Sequence, residues 1–159
     1  MKLFFGLLCL LALGACGKKV TDSKTPERGY YTLEEEFLGL VNEHRHSLKL
    51  EPLILNSVMT EVAVKHSKDM AMGRVRFGHS GLERRCTRIR REVGRDSGEK
   101  CEEVVAKGAT SASEVFKAWL SSPAHRQALE GSYTDIGFGK AEGRFDTVMY
   151  WSAILLEVR

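Results

Sequence analysis

Apolar and polar positions divide the chain into distinct stretches. Leu3 to Leu13 is an apolar run of eleven residues behind Lys2. That is short of the roughly 20 residues a membrane-spanning helix needs, and it fits the hydrophobic segment of a secretory signal. Gly17 to Arg28 (GKKVTDSKTPER) offers almost nothing to a core and reads as a flexible tether. From Thr32 the spacing becomes helical. Leu33, Phe37, Leu40, Val41 and His44 recur every three or four positions behind a capping box of Thr32 and Glu35, which predicts a helix at roughly 33–48. After Pro52, Asn56 can cap a second helix at about 57–73, with Met59, Val62, Ala63, His66 and Met70 inward and Gly73 at its end. The turn FGHSG (77–81) follows, then LERRCTRIRREVGR, which carries six arginines and reads as a short helix and loop with a solvated face, the alternative being a contact with anionic lipid headgroups or acidic cell-wall polymers. A third helix is expected at about 112–121, ended by Pro123. Two strand-like runs near 135–141 and 145–157 are joined at Glu142-Gly143 as a hairpin. Helices first and an antiparallel sheet last make the class α+β.

The apolar run ends in Leu13-Gly14-Ala15-Cys16, which resembles the bacterial lipobox, where cleavage precedes a cysteine that then takes lipid. The expected organisation is therefore a signal peptide at 1–15, a lipidated Cys16 with tether at 16–31, and one domain at 32–159. Each buried CH₂ of an acyl chain contributes about 0.8 kcal/mol, so several chains on Cys16 make a stable anchor. Without Lys2 the chain carries 23 basic and 21 acidic residues, a formal charge of +2, and no nucleic-acid partner is expected. Cys9 leaves with the signal, so Cys86 and Cys101 remain as an even pair in an exported, oxidising setting. A disulfide between them is the favoured reading, with two free thiols as the alternative.

Familiar catalytic signatures are absent: there is no GxSxG elbow, HExxH, P-loop or dinucleotide glycine pattern. Three polar groups stand out: His79 in the turn, Glu103 after Cys101, and His125 in SSPAHR. Each also has a plain structural explanation. His79 can bond the turn backbone, Glu103 can pair with an arginine, and His125 can sit at a helix end.

The succession VNEHR, PL, AVKHSKDMA, FGH, CEEVVAKG, VFKAWLSSPAHR, YTDIGFG and YW resembles the CAP superfamily, which comprises cysteine-rich secretory proteins, antigen 5 and pathogenesis-related 1 proteins. The match covers about residues 36–155. It implies a three-layer α-β-α sandwich with a small antiparallel sheet and a broad cleft. In animal and plant members that cleft holds two histidines and two glutamates. Motif by motif, His79 matches the first histidine and Glu103, rather than Glu102, the first glutamate. Ser122 stands where the second glutamate would fall, and Tyr150 where the second histidine would fall. His125 belongs to the SPxHR form and is expected at the same cleft. Val104, Ala124 and Ala153 also depart from the family's asparagine, glycine and glutamine. Two imidazoles and a carboxylate (His79, His125 and Glu103) could hold zinc, or could form a hydrogen-bonded network on the cleft floor.

The resulting expectation is a monomeric, lipid-anchored envelope protein, at the outer membrane or surface if the cell has two membranes. Its cleft would bind a lipid, a cell-wall fragment or an envelope protein. The alternative is a metal- or His/Glu-dependent hydrolase acting on protein or peptidoglycan.

Overall fold

The computed structural model describes residues 32–94 and 97–158. The expected signal peptide, Cys16 and tether lie outside the described residues. Helix α1 spans Leu33–Ser47 and begins with the capping box: Thr32 N–H donates to Glu35 Oε2 (2.8 Å), and Glu35 N–H to Thr32 Oγ1 (3.2 Å). A two-residue strand β1 (Ile54–Leu55) leads into α2 (Ser57–Ala71), where Asn56 Oδ1 accepts from the amides of Val58 and Met59. The arginine-rich stretch is a full three-turn helix, α3 (Leu82–Val93), rather than a short helix and loop. Gly81 and Gly94, both left-handed, flank it. Next come β2 (Ser97–Lys107), α4 (Ala112–Ser121), α5 (Pro123–Leu129), β3 (Asp135–Glu142) and β4 (Met149–Val158).

Two sequence expectations need correction, and one element was not foreseen. Residues 97–107 form a long strand that local pattern did not announce. Pro123 does not merely end α4; it opens α5 at the first-turn position that tolerates a missing N–H. The second hairpin strand starts at Met149 because Asp146 Oδ1 accepts from Val148 N–H and Thr147 turns left-handed (φ 52°), which lengthens the loop beyond Glu142-Gly143.

The sheet runs β1-β3-β4-β2, antiparallel except that β1 lies parallel to β3. Alternation along its strands divides the interior. Val104, Ile136, Phe138, Trp151, Ala153 and Leu155 pack with α1, α4 and α5 on one face, while Ile154 and Leu156 pack with Met59, Val62, Ala63 and Ile89 of α2 and α3 on the other. This is the three-layer α-β-α sandwich. On the second face α2 lies directly on β3, because a Cβ at Gly137 would stand 2.1 Å from the Met59 carbonyl carbon and one at Gly139 2.3 Å from Val64 N. The Cys86–Cys101 disulfide forms and fastens α3 to β2, with Cα atoms 6.1 Å apart.

Candidate functional site

Glu103 points to the α2–α3 side of β2, and its side chain is wholly buried. A carboxylate removed from water must be met by donors, and here it is. Arg85 of α3 grips it in a fork: Nε donates to Oε1 (2.9 Å) and Nη2 to Oε2 (2.7 Å). His79 Nδ1 donates to the same Oε2 at 3.0 Å. His66 of α2, buried alongside, brings Nε2 to 3.6 Å from Oε2 while giving its hydrogen bond to the Gly78 carbonyl at 2.9 Å.

The loop between α2 and α3 is shaped by this cluster. Gly78 adopts φ 135°, a conformation other residues rarely take. Its carbonyl meets His66, and Arg85 Nη1 donates to the Ser80 carbonyl at 2.9 Å. His79 is thereby held between them with its side chain 47% exposed. Since a carboxylate and a carbonyl only accept, His79 carries its proton on Nδ1 and His66 on Nε2. That leaves Nε2 as the His79 ring nitrogen not spent on Glu103, on a partly exposed side chain. Burial pushes the His66 pKa down, with the nearby Glu103 charge opposing that shift.

His125 sits in α5. Its pKa is lowered first by burial and then by the charge of His79, so the two rings share one electrostatic neighbourhood. Ser122 caps α5 by position alone, with no side-chain capping bond. Tyr150 is not joined to Glu103: Ile154, four residues further along β4, stands opposite Glu103, which puts Tyr150 about 13 Å along the strand. Its hydroxyl donates instead to Asp146 Oδ2 at 2.8 Å, and its ring meets Phe77 edge-on. The structure thus brings His79 and Glu103 together and, among the described residues, leaves His125, Ser122 and Tyr150 outside the hydrogen-bonded cluster.

The expected zinc set does not fit. Among the described residues, no group of three or more His, Cys, Asp or Glu side chains is placed to hold a metal ion. Both Glu103 oxygens are engaged by a guanidinium, and His79 Nδ1 is spent on the carboxylate. Two members of the cluster, Arg85 and His66, were not among the candidates. Arg85 was hidden in a run of arginines that reads as solvated, and His66 in an apolar helix face. A signal for Arg85 was present: it precedes Cys86 while Glu103 follows Cys101 by two residues, so a disulfide between those cysteines brings the pair close.

A second feature adjoins the cluster. His66 and Arg85 help line a cavity of about 280 Å³ between α2 and α3, together with Lys65, Ser80, Arg84 and Arg88.

An imidazole oriented by a buried carboxylate is half of a hydrolytic device, the other half being a nucleophile within reach. Among the described residues no hydroxyl or thiol is hydrogen-bonded to His79 Nε2. What the arrangement offers directly is a partly exposed imidazole, braced from behind by Glu103 and Arg85.

Comparisons with known proteins agree with this architecture. Among curated proteins, none matches the chain significantly in sequence. An outer surface protein from Borrelia burgdorferi superposes with a TM-score of 0.64 at 20% identity, covering 78% of this chain and 91% of that one. An extracellular SCP-domain protein from Bacillus anthracis gives 0.60 at 25% identity, covering 79% of this chain but 40% of that one. The venom allergen-like protein 4 of Schistosoma mansoni gives 0.59 at 11% identity, over 81% and 90% of the two chains. The family model for CAP, the cysteine-rich secretory protein family, matches residues 38–155, and the chain belongs to that family.

Proposed function

We propose that this CAP domain is an exported binding module, held at a bacterial envelope through lipid on Cys16, whose cleft around His79 receives a lipid, a cell-wall fragment or an envelope protein. The observation that carries the binding reading is the state of Glu103. With Arg85 on both oxygens and His79 on one, the carboxylate orients a ring rather than standing free as a base. His79 Nε2 then offers a fixed acceptor to a ligand hydroxyl or amide, with His125 nearby as a second polar contact. The export reading rests on the lipobox and on the Cys86–Cys101 disulfide. The names of the Borrelia and Bacillus proteins, one at an outer surface and one extracellular, accord with it.

The test is a thermal-shift screen of the domain against phospholipids, muropeptides and glycan fragments, repeated with His79→Ala. A ligand that raises the melting temperature of the parent and not of the variant supports the reading. Turnover of a peptide or glycan that binds nowhere else on the domain would overturn it in favour of hydrolysis.

A further inference from the structure

The hairpin end of the sheet carries exposed aromatic and basic groups that the cleft does not use. Phe145, in the β3–β4 loop, is 79% exposed, and Phe77 and Met72 are exposed as well. These residues are neighbours: Arg144 N–H donates to the carbonyl of Ala71, directly before Met72, and the Phe77 ring meets Tyr150 at the start of β4. The cations here lie on rings. Arg144 stands 5.5 Å over Phe145, and Lys107, opposite Tyr150 in the sheet, 5.4 Å over Phe77. Two acids share this end: Glu142 closes β3, and Asp146 accepts from the Tyr150 hydroxyl and the Val148 amide, so the cations outnumber the acids only when Lys140 is counted with Arg144 and Lys107. The other end of the sheet differs: there the exposed Ile54 shares a surface with Glu92 and Asp135.

The domain also begins at the hairpin end. Leu33 and Glu34, at the start of α1, share a surface pocket with Lys140, Ala141, Glu142 and Met149. The 16 residue-to-residue steps from Cys16 to Thr32 can span at most about 55 Å, so a lipid on Cys16 would keep this end within reach of the bilayer.

We propose that the hairpin end docks on a bilayer bearing anionic headgroups, with Phe145 and Phe77 entering the interface and Arg144 and Lys107 at the level of the phosphates. Aromatic rings and snorkelling cations are the groups that settle at this depth, and anionic lipid attracts each added basic residue. This deepens the envelope-anchored reading on which it rests. The anchor supplies residence; the hairpin end supplies orientation. Because Phe77 lies in the loop that holds His79, docking brings His79 toward the lipid surface.

Both packed clusters lie within the described residues, so the domain from Thr32 onward can be tested without Cys16, and the result does not depend on lipidation. Co-sedimentation with phosphatidylglycerol-containing vesicles is expected, weakening with salt and absent with pure phosphatidylcholine. Arg144→Gln should weaken binding about fivefold and Phe145→Ser about tenfold or more, while Ile54→Ser at the opposite end leaves it unchanged. Phe145→Ser is expected to keep the muropeptide or glycan response of the thermal-shift screen, so failure of the His79 reading and failure of this one are seen separately. The proposal is overturned if the parent ignores anionic vesicles, if Phe145→Ser binds as the parent does, or if Ile54→Ser weakens binding as much. A dimer in solution that Phe145→Ser abolishes, without vesicle binding, would assign the face to a second copy instead.

Discussion

Replacing Arg85 by methionine isolates the energetic core of the site. Arg85 gives Glu103 two charge-assisted hydrogen bonds, 2.9 and 2.7 Å long, and each such bond contributes about 1.5–3 kcal/mol. The Glu103 side chain is fully buried and that of Arg85 is 14% exposed, so solvent screens the pair little. Removing one partner of a buried pair costs about 3–5 kcal/mol, because the other charge is left without compensation. His79 keeps its hydrogen bond to Oε2, which places the cost at the lower end, about 3 kcal/mol. For a domain of this size that lowers the melting temperature by about 10 °C. Urea unfolding of the parent, Arg85→Met, Glu103→Gln and the double variant would measure the coupling. It should reach about 2 kcal/mol, since the double variant leaves no stranded charge. An Arg85→Met penalty below about 1 kcal/mol, or additive single variants, would refute the clamp.

Other expectations follow from the same structure. Reducing the Cys86–Cys101 disulfide opens a loop with 15-residue separation and should cost about 3 kcal/mol, read as a lower urea midpoint in the presence of a reductant. Gly137→Ala should destabilise by about 3 kcal/mol or more, because its Cβ would strike the α2 backbone. Gly39→Ala, in α1 with open space around it, should instead stabilise by up to about 1 kcal/mol; equal effects in thermal melts would contradict the packing of α2 on β3. His66 has a pKa held below its unfolded value of about 6.5 by burial. The unfolded chain therefore binds more protons below that pH, and stability, complete above it, is lost as pH falls toward the folded value. A stability–pH profile should show that loss in the parent and a smaller one in His66→Gln.

What could be read from sequence was what the chain decides locally. The capping box of Thr32 and Glu35, the Asn56 cap and the inward stripe of α2 each depend on residues within one or two turns, and the structure places them as expected. Strand β2 depends on β4, some fifty residues away, and its only apolar pair, Val104-Val105, gave no alternating signal. Pro123 carried two meanings, stop and start, and local pattern favours the first. At the site, His79 and Glu103 were reached through family motifs, and the structure places them in one hydrogen bond. Arg85 and His66 could not be distinguished by type, since arginines crowd α3 and His66 repeats with the apolar face of α2. Only the tertiary approach of α3 and α2 to β2 gives either of them a partner.

The covalent link between α3 and β2 has a further consequence. Cys86 adjoins Arg85, and Cys101 stands two residues before Glu103, so one sulfur–sulfur bond spans the two elements that must meet for the clamp to close. In a reducing compartment the same chain would hold its helix to its strand through side chains alone, and His79 would lose part of the brace that sets its ring. Oxidation therefore ties the clamp to its surroundings: where the two thiols pair, helix and strand are joined covalently one residue from Arg85 and two from Glu103.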